Sequence, residues 1–261
     1  MNRVQFVAFD VTNTLMRFKV SPGAAYQQVC RQYGVTTLDD DQLLRNFSKH
    51  YKATCHRFPN FGHGTIGCRR WWYNVVSGTI IDSGFQSAAH SGNEGLLAKI
   101  FEHLYESFSS DELWVLDGET LPVLEELKRR GLRLGVISNT DDRLEAILKN
   151  LRVRPYFDVV INSYQAGVAK PHRGIFDLAI SLANNNNNSS SSSNPAGTPS
   201  RVLARQAVHI GDSLELDFEG AKSAGWHALL LAHSGEPKPS GIDDRFVLNC
   251  LSGVPNRVMT L

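Results

Sequence analysis

The 261-residue sequence predicts an α/β fold in which a doubly wound parallel sheet carries an inserted domain made only of helices. Three observations support this fold class. Short, almost wholly apolar segments are typical of strands buried on both faces of a parallel sheet. Helical patterns alternate with most of these segments. After the first segment comes a long stretch, residues 20–114, whose patterns are helical without a convincing strand between them.

The predicted elements follow one another along the chain. Strands are predicted at residues 4–9, 132–137, 157–161, 207–210 and 228–231. Helices of the same domain are predicted at residues 120–130, 142–149, 171–183 and 215–224. Gly131 and Gly225 follow two of these helices, where a left-handed C-terminal cap is expected. Pro171 suits the first turn of a third helix.

The predicted domain boundaries follow from this division. Residues 1–19 and 115–261 are expected to form the core domain, and residues 20–114 the inserted helical domain. One helix of the insertion places six residues on one face, namely Trp71, Trp72, Val75, Val76, Thr79 and Ile80. We expect this face to form the core of the insertion, and a contact of Trp71 or Trp72 with substrate is the alternative.

A low-complexity run of Asn and Ser interrupts the core domain at residues 184–200. It has too few apolar side chains to order itself, so we expect a disordered insertion. The run leads from a helix to the next strand, at the amino ends of the strands, whereas ligands bind at the carboxyl ends. We therefore expect it to be remote from the functional site.

The composition restricts the partners and the location of the protein. Lys and Arg number 27 against 26 Asp and Glu, which leaves no strong field for nucleic acid or an anionic membrane. The expected partner is a small molecule. The four cysteines are too sparse for a disulfide framework. No signal-peptide pattern and no run of ~18 apolar residues occur. These features predict a soluble, intracellular and cytoplasmic protein, whereas the oligomeric state is not predicted.

Two weaker patterns lie in the inserted domain. A zinc site is conceivable, but the usual Cys-x₂₋₄-Cys spacing is missing from its candidates Cys55, His56, His63 and Cys68. Arg69 and Arg70 precede three aromatic residues, a pattern compatible with nucleic-acid stacking. For a single basic pair we favour a solvated helix edge, and binding of a substrate's anionic group stays open.

Polar residues follow several of the predicted strands. Asp10 follows the first strand, Ser138 the second and Asp212 the fourth, while Lys170 stands at the start of a predicted helix. Carboxyl ends of parallel strands converge on one crevice, so these side chains are expected to meet there. A carboxylate nucleophile, a hydroxyl donor, a cation and further carboxylates are the groups that metal-assisted phosphoryl transfer needs.

Four motifs in order extend this pattern, namely Phe9–Leu15, Val136–Asn139, Lys170–Pro171 and Ile210–Asp217. With them the chain resembles the haloacid dehalogenase (HAD) superfamily of hydrolases over nearly its whole length. The resemblance implies a Rossmann-like core domain. It also implies that the inserted helical domain is a cap, which closes over the active site and selects the substrate.

The resemblance implies a role for each motif residue. Asp10 would be the nucleophile that attacks phosphorus and forms an aspartyl-phosphate. Ser138 and the following amide, that of Asn139, would bind the phosphoryl oxygens, and Lys170 would neutralise charge in the transition state. Mg²⁺ is the implied cofactor, because it prefers hard oxygen ligands. Its implied ligands are Asp10, the backbone carbonyl of Thr12, Asp212 and, directly or through another ligand, Asp217.

One position departs from the family pattern. Phosphatases of this family carry a second aspartate two residues after the nucleophile, where this chain has Thr12. A hydroxyl performs poorly the proton transfers that such a carboxylate supports. We interpret the chain as a Mg²⁺-dependent phosphatase of a small phosphorylated metabolite with slow turnover, or else as a catalytically impaired binding protein. Carbon–halogen hydrolysis by Asp10, which needs no metal, is a third interpretation.

Overall fold

A computed structural model describes residues 3–85, 93–185, 201–232 and 241–261. Its main sheet contains β1 (Phe6–Phe9), β4 (Arg133–Ser138), β5 (Val159–Asn162), β6 (Ala207–Gly211), β7 (His227–Leu231) and β8 (Val247–Leu248). The six strands are parallel and lie in the order β5-β4-β1-β6-β7-β8. All five predicted strands are present, and β8 was not predicted. The predicted α/β, Rossmann-like fold class is confirmed.

The strand order determines where a ligand can bind. From β1 in the interior of the sheet, the chain builds outward through β4 and β5, and then crosses back to β6 on the other side of β1. Phe9, the last residue of β1, is in register with Val136 of β4 and Ile210 of β6. The carboxyl ends of these three strands therefore meet at the switch point of the sheet, where doubly wound folds bind ligands.

The main sheet belongs to one of the two compact units of the chain. The helices of this unit are α6 (Thr120–Arg129), α8 (Ser163–Ala166), α9 (Arg173–Asn185), α10 (Gly220–Ser223) and α11 (Val254–Val258). Gly131 and Gly225 follow α6 and α10 with φ values of 77° and 81°. The left-handed caps predicted at these two glycines are confirmed, because a side chain would be strained there. Edge-to-face packing of Phe6 and Phe176 against Trp226 joins the sheet to α9.

Two helix predictions in this unit need correction. Pro171 lies outside α9, because a turn closed by the His172 amide and the Ala169 carbonyl at 3.0 Å delays the helix until Arg173. The helix predicted at residues 215–224 is divided into a π-helical turn, Leu214–Glu219, and α10. In the wider turn the Phe218 amide reaches back five residues to the Ser213 carbonyl.

The chain divides into two compact units, the first made of residues 1–17, 116–139 and 152–261 and the second of residues 18–115 and 140–151. The helices of the second unit are α1 (Pro22–Gln32), α2 (Asp40–Arg57), α3 (Pro59–Gly62), α4 (Cys68–Asp82), α5 (Asn93–Ser107) and α7 (Leu144–Asn150). A compact unit is not by itself a domain, and the predicted domain boundaries stay a prediction. No helix in the described parts of the chain is long and apolar enough to cross a membrane.

Two short strands that were not predicted, β2 (Met16–Phe18) and β3 (Trp114–Leu116), form a separate sheet. They lie where the sequence passes from one unit to the other and back.

In the second unit, the apolar face of α4 is buried as predicted, at Trp71, Val75, Val76, Thr79 and Ile80. Trp72 is only half-buried. The core role of this face is confirmed for the five buried residues.

The predicted disordered insertion at residues 184–200 lies outside the described residues from 186 onward. Its first two residues belong to the end of α9. The side chain of Asn184 accepts a hydrogen bond from the Val202 amide at 2.8 Å and donates one to the Val202 carbonyl at 3.1 Å. Asn184 therefore ties the end of α9 to the segment that leads into β6.

A buried ion pair lies in the second unit, just before α7. The Arg143 guanidinium donates to both carboxylate oxygens of Asp141, at 2.9 and 2.6 Å. Trp72 also donates its indole N–H to Asp141. The rings of Trp72 and Tyr105 lie 4.8 and 4.5 Å from the guanidinium carbon. Burial by itself would raise the pKa of Asp141, but the charge and hydrogen bonds of Arg143 outweigh burial and lower it.

Asp141→Asn is expected to destabilise the protein by about 3–5 kcal/mol at pH 7, because Arg143 then stays buried without its counter-charge. The lowered pKa means that the carboxylate stabilises the fold above its ordinary pKa and loses this effect as the pH falls. The difference in free energy of unfolding between wild type and variant should therefore shrink below a pH of about 4. Urea unfolding at several pH values measures this free energy. Asp82→Asn, which removes the exposed partner of Lys49 and His50, is the control and should change stability little.

Candidate active site

Four of the predicted site residues lie at or just after the carboxyl ends of the strands that meet at the switch point. Asp10 comes directly after β1, Ser138 ends β4 with Asn139 next in the chain, and Asp212 comes directly after β6. Ser138 is buried, and Asp10 is 8% exposed. The register of the three strands brings these positions to one edge of the sheet, as the sequence predicted.

Lys170 lies between two carboxylates at this edge. Its Nζ donates to Oδ1 of Asp10 and to Oδ1 of Asp217, in each case at 2.6 Å. The side chains of Lys170 and Asp217 are each 2% exposed, so both hydrogen bonds are shielded from water. Charge-assisted hydrogen bonds of this kind are short and strong. They hold the reactive groups of motifs one, three and four in direct contact.

The surroundings shift the pKa values of the three groups differently. Burial raises the pKa of Asp10, and the charge of Lys170 only partly offsets that rise. Burial alone would lower the pKa of Lys170, but the two carboxylates beside it raise the pKa instead. For Asp217 burial is outweighed by the hydrogen bond from His209 and the charge of Lys170, which lower the pKa. Lys170 is therefore an ammonium and Asp217 a carboxylate at neutral pH.

The backbone of Lys170 is held by Asn139. The Asn139 side-chain carbonyl accepts from the Lys170 amide at 2.8 Å, and its amide group donates to the Lys170 carbonyl at 2.9 Å. Lys170 belongs to a turn rather than to a helix or strand, so this pair of bonds determines where its side chain starts. The side chain of Asn139 is occupied in this way, and only its backbone amide is left for the predicted contact with a phosphoryl group.

Asp217 is positioned by the π-helical turn after β6. Its Oδ2 accepts the Ser213 amide at 3.0 Å. The carboxylate packs so closely on Gly211 that a Cβ at this glycine would lie 2.2 Å from Cγ of Asp217. Only glycine allows that approach. The glycine of motif four is thus required by the position of Asp217.

Sequence reasoning missed one residue of the site, His209. It lies within β6, is fully buried, and contacts Oδ1 of Asp217 through Nε2 at 2.8 Å. The available signal was a titratable residue inside an otherwise apolar strand. That signal is ambiguous, because a buried histidine is a common member of protein cores.

Three carboxylates of the site could hold a metal ion. Each of Asp10, Asp212 and Asp217 offers one oxygen, and these atoms all lie within 4.8 Å of one another. The set consists of hard oxygen donors, two of them on buried residues, and fits Mg²⁺. Thr12 follows in the tight turn after β1, where the Asn13 amide bonds the Met16 carbonyl at 2.7 Å. The backbone carbonyl of Thr12 is the further ligand that the family resemblance implies.

The weaker sequence patterns lie outside both groups of possible metal ligands found among the described residues. In the described parts of the chain, the second group of possible metal ligands is the exposed trio Asp39, Asp40 and Asp41, and neither group includes the cysteines and histidines considered for zinc. Arg69 pairs with Glu102 and lies 4.9 Å from the Tyr105 ring centre. Arg70 lies 5.3 Å from the ring centre of Tyr73.

Comparison with known proteins identifies the family of this chain. A family model described as haloacid dehalogenase-like hydrolase matches residues 4–225. The human haloacid dehalogenase-like hydrolase domain-containing protein 3 is 36% identical over 232 residues, which cover 88% of this chain and 82% of that protein. The rhythmically expressed gene 2 protein of Drosophila melanogaster is 30% identical over 238 residues, covering 88% and 84% of the two chains.

Solved structures share the fold. A 2-haloacid dehalogenase from Pseudomonas syringae pv. Tomato superposes with a TM-score of 0.65 at 21% identity, covering 98% of each chain. A HAD phosphatase from Thermococcus onnurineus superposes with a TM-score of 0.60 at 20% identity, covering 97% of each chain. The family resemblance predicted from the sequence is confirmed. The chain belongs to the haloacid dehalogenase-like hydrolase family.

Proposed function

We propose that this hydrolase is a Mg²⁺-dependent phosphatase, which acts on a small phosphorylated metabolite through an aspartyl-phosphate on Asp10. The observation that carries the proposal is the group of three carboxylates, Asp10, Asp212 and Asp217, whose oxygens lie within 4.8 Å of one another. Like charges at such distances repel strongly in a buried site. The Lys170 ammonium offsets part of this repulsion, and a divalent cation bound by the three carboxylates would offset the rest.

The contacts of Asp10 support its role as nucleophile. Its Oδ1 is bound to Lys170, which leaves Oδ2 as the oxygen that can attack phosphorus in line. The attack forms an O–P bond and breaks the bond from phosphorus to the leaving alcohol. When bound, Mg²⁺ would shield the repulsion between the carboxylate and the phosphate dianion, with Asp10, Asp212, Asp217 and the Thr12 carbonyl as its protein ligands.

The remaining residues orient the phosphoryl group and balance its charge. Ser138 and the Asn139 amide are the proposed donors to the phosphoryl oxygens. The ammonium of Lys170, held in place by Asn139 and two carboxylates, would stabilise the charge that builds up in the transition state. Such preorganised charges cost no rearrangement during the reaction.

Thr12 favours a second candidate function. Without a carboxylate at this position, protonation of the leaving alcohol and activation of water are both impaired. The same site could then bind a phosphorylated ligand without turnover, as a binding protein. Both candidates use the same residues, and turnover separates them.

Carbon–halogen hydrolysis by Asp10 is the third candidate, and solved structures with the same fold include dehalogenases. This chemistry would use Asp10 without a metal. The carboxylates of Asp212 and Asp217 beside the nucleophile argue for a cation and favour the phosphatase.

The test measures hydrolysis of p-nitrophenyl phosphate with and without Mg²⁺, followed by a panel of phosphorylated metabolites. Chloride release from 2-chloropropionate without added metal is measured alongside. Saturable, Mg²⁺-dependent phosphate release that Asp10→Asn protein lacks supports the phosphatase. Metal-independent chloride release overturns it in favour of the dehalogenase. Binding of phosphorylated ligands without turnover overturns it in favour of the binding protein.

A further inference from the structure

His209 is a fully buried polar residue in a strand whose other residues are apolar or glycine. It lies in β6 with no exposed surface, and its ring packs edge to face on Phe176 with the ring centres 5.5 Å apart. Its polar contact is with Asp217, where Nε2 lies 2.8 Å from Oδ1. Nδ1 is also buried, and it has no hydrogen-bond partner in the described parts of the chain.

These contacts determine which nitrogen carries the proton. A carboxylate only accepts hydrogen bonds, so the short contact requires the proton on Nε2. A proton on Nδ1 would be a buried donor without an acceptor, because Nδ1 has no hydrogen-bond partner in the described parts of the chain. The geometry therefore makes His209 an N–H donor to Oδ1 of Asp217 through Nε2.

The two carboxylate oxygens of Asp217 accept different numbers of hydrogen bonds. Oδ1 receives two donors, Nε2 of His209 and Nζ of Lys170. From the residues that the structure describes, Oδ2 receives one donor, the Ser213 amide. A carboxylate oxygen has two lone-pair positions, so Oδ1 is fully used while Oδ2 keeps one position open.

We propose that His209 is a positioning residue, whose Nε2–H holds Oδ1 of Asp217 so that Oδ2 is the atom offered to the divalent cation. The inference rests on the proposed function, because it takes the three carboxylates as the Mg²⁺ site. Without the N–H donor the carboxylate keeps its hydrogen bonds to Lys170 and Ser213 but loses the third, so Oδ2 is held less firmly at the cation position. Loss of a hydrogen bond that orients a metal ligand typically lowers metal affinity by about 10- to 100-fold.

Replacing His209 with Gln or Asn tests its hydrogen bond to Asp217 separately from the shape of its ring. In His209→Gln the side-chain nitrogen is as many bonds from Cα as Nε2, so it can still donate to Asp217. In His209→Asn the nitrogen is one bond closer to the backbone and falls short. Phe176→Leu is the matched control, because it removes the ring that packs on His209 and weakens the same core without touching Asp217.

The measurement is Mg²⁺ affinity without substrate, from calorimetry and from the Mg²⁺-dependent rise in Tm. We expect His209→Asn to weaken Mg²⁺ binding by about 10- to 100-fold, while His209→Gln and Phe176→Leu stay near wild type. Equal affinity in His209→Asn and wild type overturns this inference alone, and so does equal weakening in both amide variants. Absence of Mg²⁺ binding in the wild type overturns the proposed function together with it.

Discussion

Replacing Asp10 with Asn is expected to abolish Mg²⁺-dependent hydrolysis of aryl phosphates, because an amide does not attack phosphorus as a carboxylate does. A loss on the order of 10⁴-fold or more is expected, as when other enzymes lose their nucleophile. The wild-type protein, quenched in acid after mixing with substrate, should carry one added phosphoryl group by mass spectrometry. Asp10→Asn protein should carry none.

The fold should survive this substitution. Lys170 keeps its hydrogen bond to Asp217 at 2.6 Å, so its ammonium is not left buried without an acceptor. Tm measured on both proteins checks this point. Equal phosphatase rates in wild type and Asp10→Asn would show that the activity comes from a contaminant or from another residue.

Replacing Thr12 with Asp is expected to raise the phosphatase rate by about 10²- to 10⁴-fold, the usual contribution of a positioned general acid and base. The new side chain, as a carboxylic acid, would give its proton to the leaving oxygen of the alcohol. The resulting carboxylate would then take a proton from the water that hydrolyses the phosphoenzyme. Faster hydrolysis of the phosphoenzyme should also reduce the amount trapped by acid quench. Steady-state rates and the trapped fraction are measured on the same samples.

Thr12→Asn is the matched control for this change. Asparagine has nearly the shape of aspartate but transfers no proton near neutral pH, so its rate should stay at the wild-type level. The proposed Mg²⁺ ligand at this position is a backbone carbonyl, so neither substitution removes it. An equal increase in both variants would refute the acid and base explanation, and the increase would then come from the shape of the side chain.

Sequence patterns predicted an element correctly where one short segment is enough to form that element. The almost wholly apolar run before Asp10 predicted β1 because such a run is typical of a strand buried on both faces. Gly131 predicted a helix end because the left-handed conformation there favours glycine. The same kind of reasoning was wrong at Pro171, because the preceding turn, closed between Ala169 and His172, excludes it from the helix.

Patterns within one segment did not predict contacts between residues far apart in the sequence. The backbone amide of Asn139 stays the predicted contact to a phosphoryl group, but nothing in the sequence indicated that its side chain holds the backbone of Lys170, 31 residues further along the chain. His209 resembled an ordinary core residue of β6, because its partner Asp217 reaches it only through the π-helical turn. Neither contact has a sequence signal that differs from normal core packing.

The amino-acid sequence alone determined the fold class, the family and the kinds of groups at the candidate site. It could do so because parallel strands bring the residues at their carboxyl ends to one edge, whatever the details of packing. Tertiary structure alone decided which atoms meet, as in the bond between Lys170 and Asp10, 160 residues apart. It also decided the direction of each pKa shift, because burial and charge act through space and depend on distances that no single segment determines.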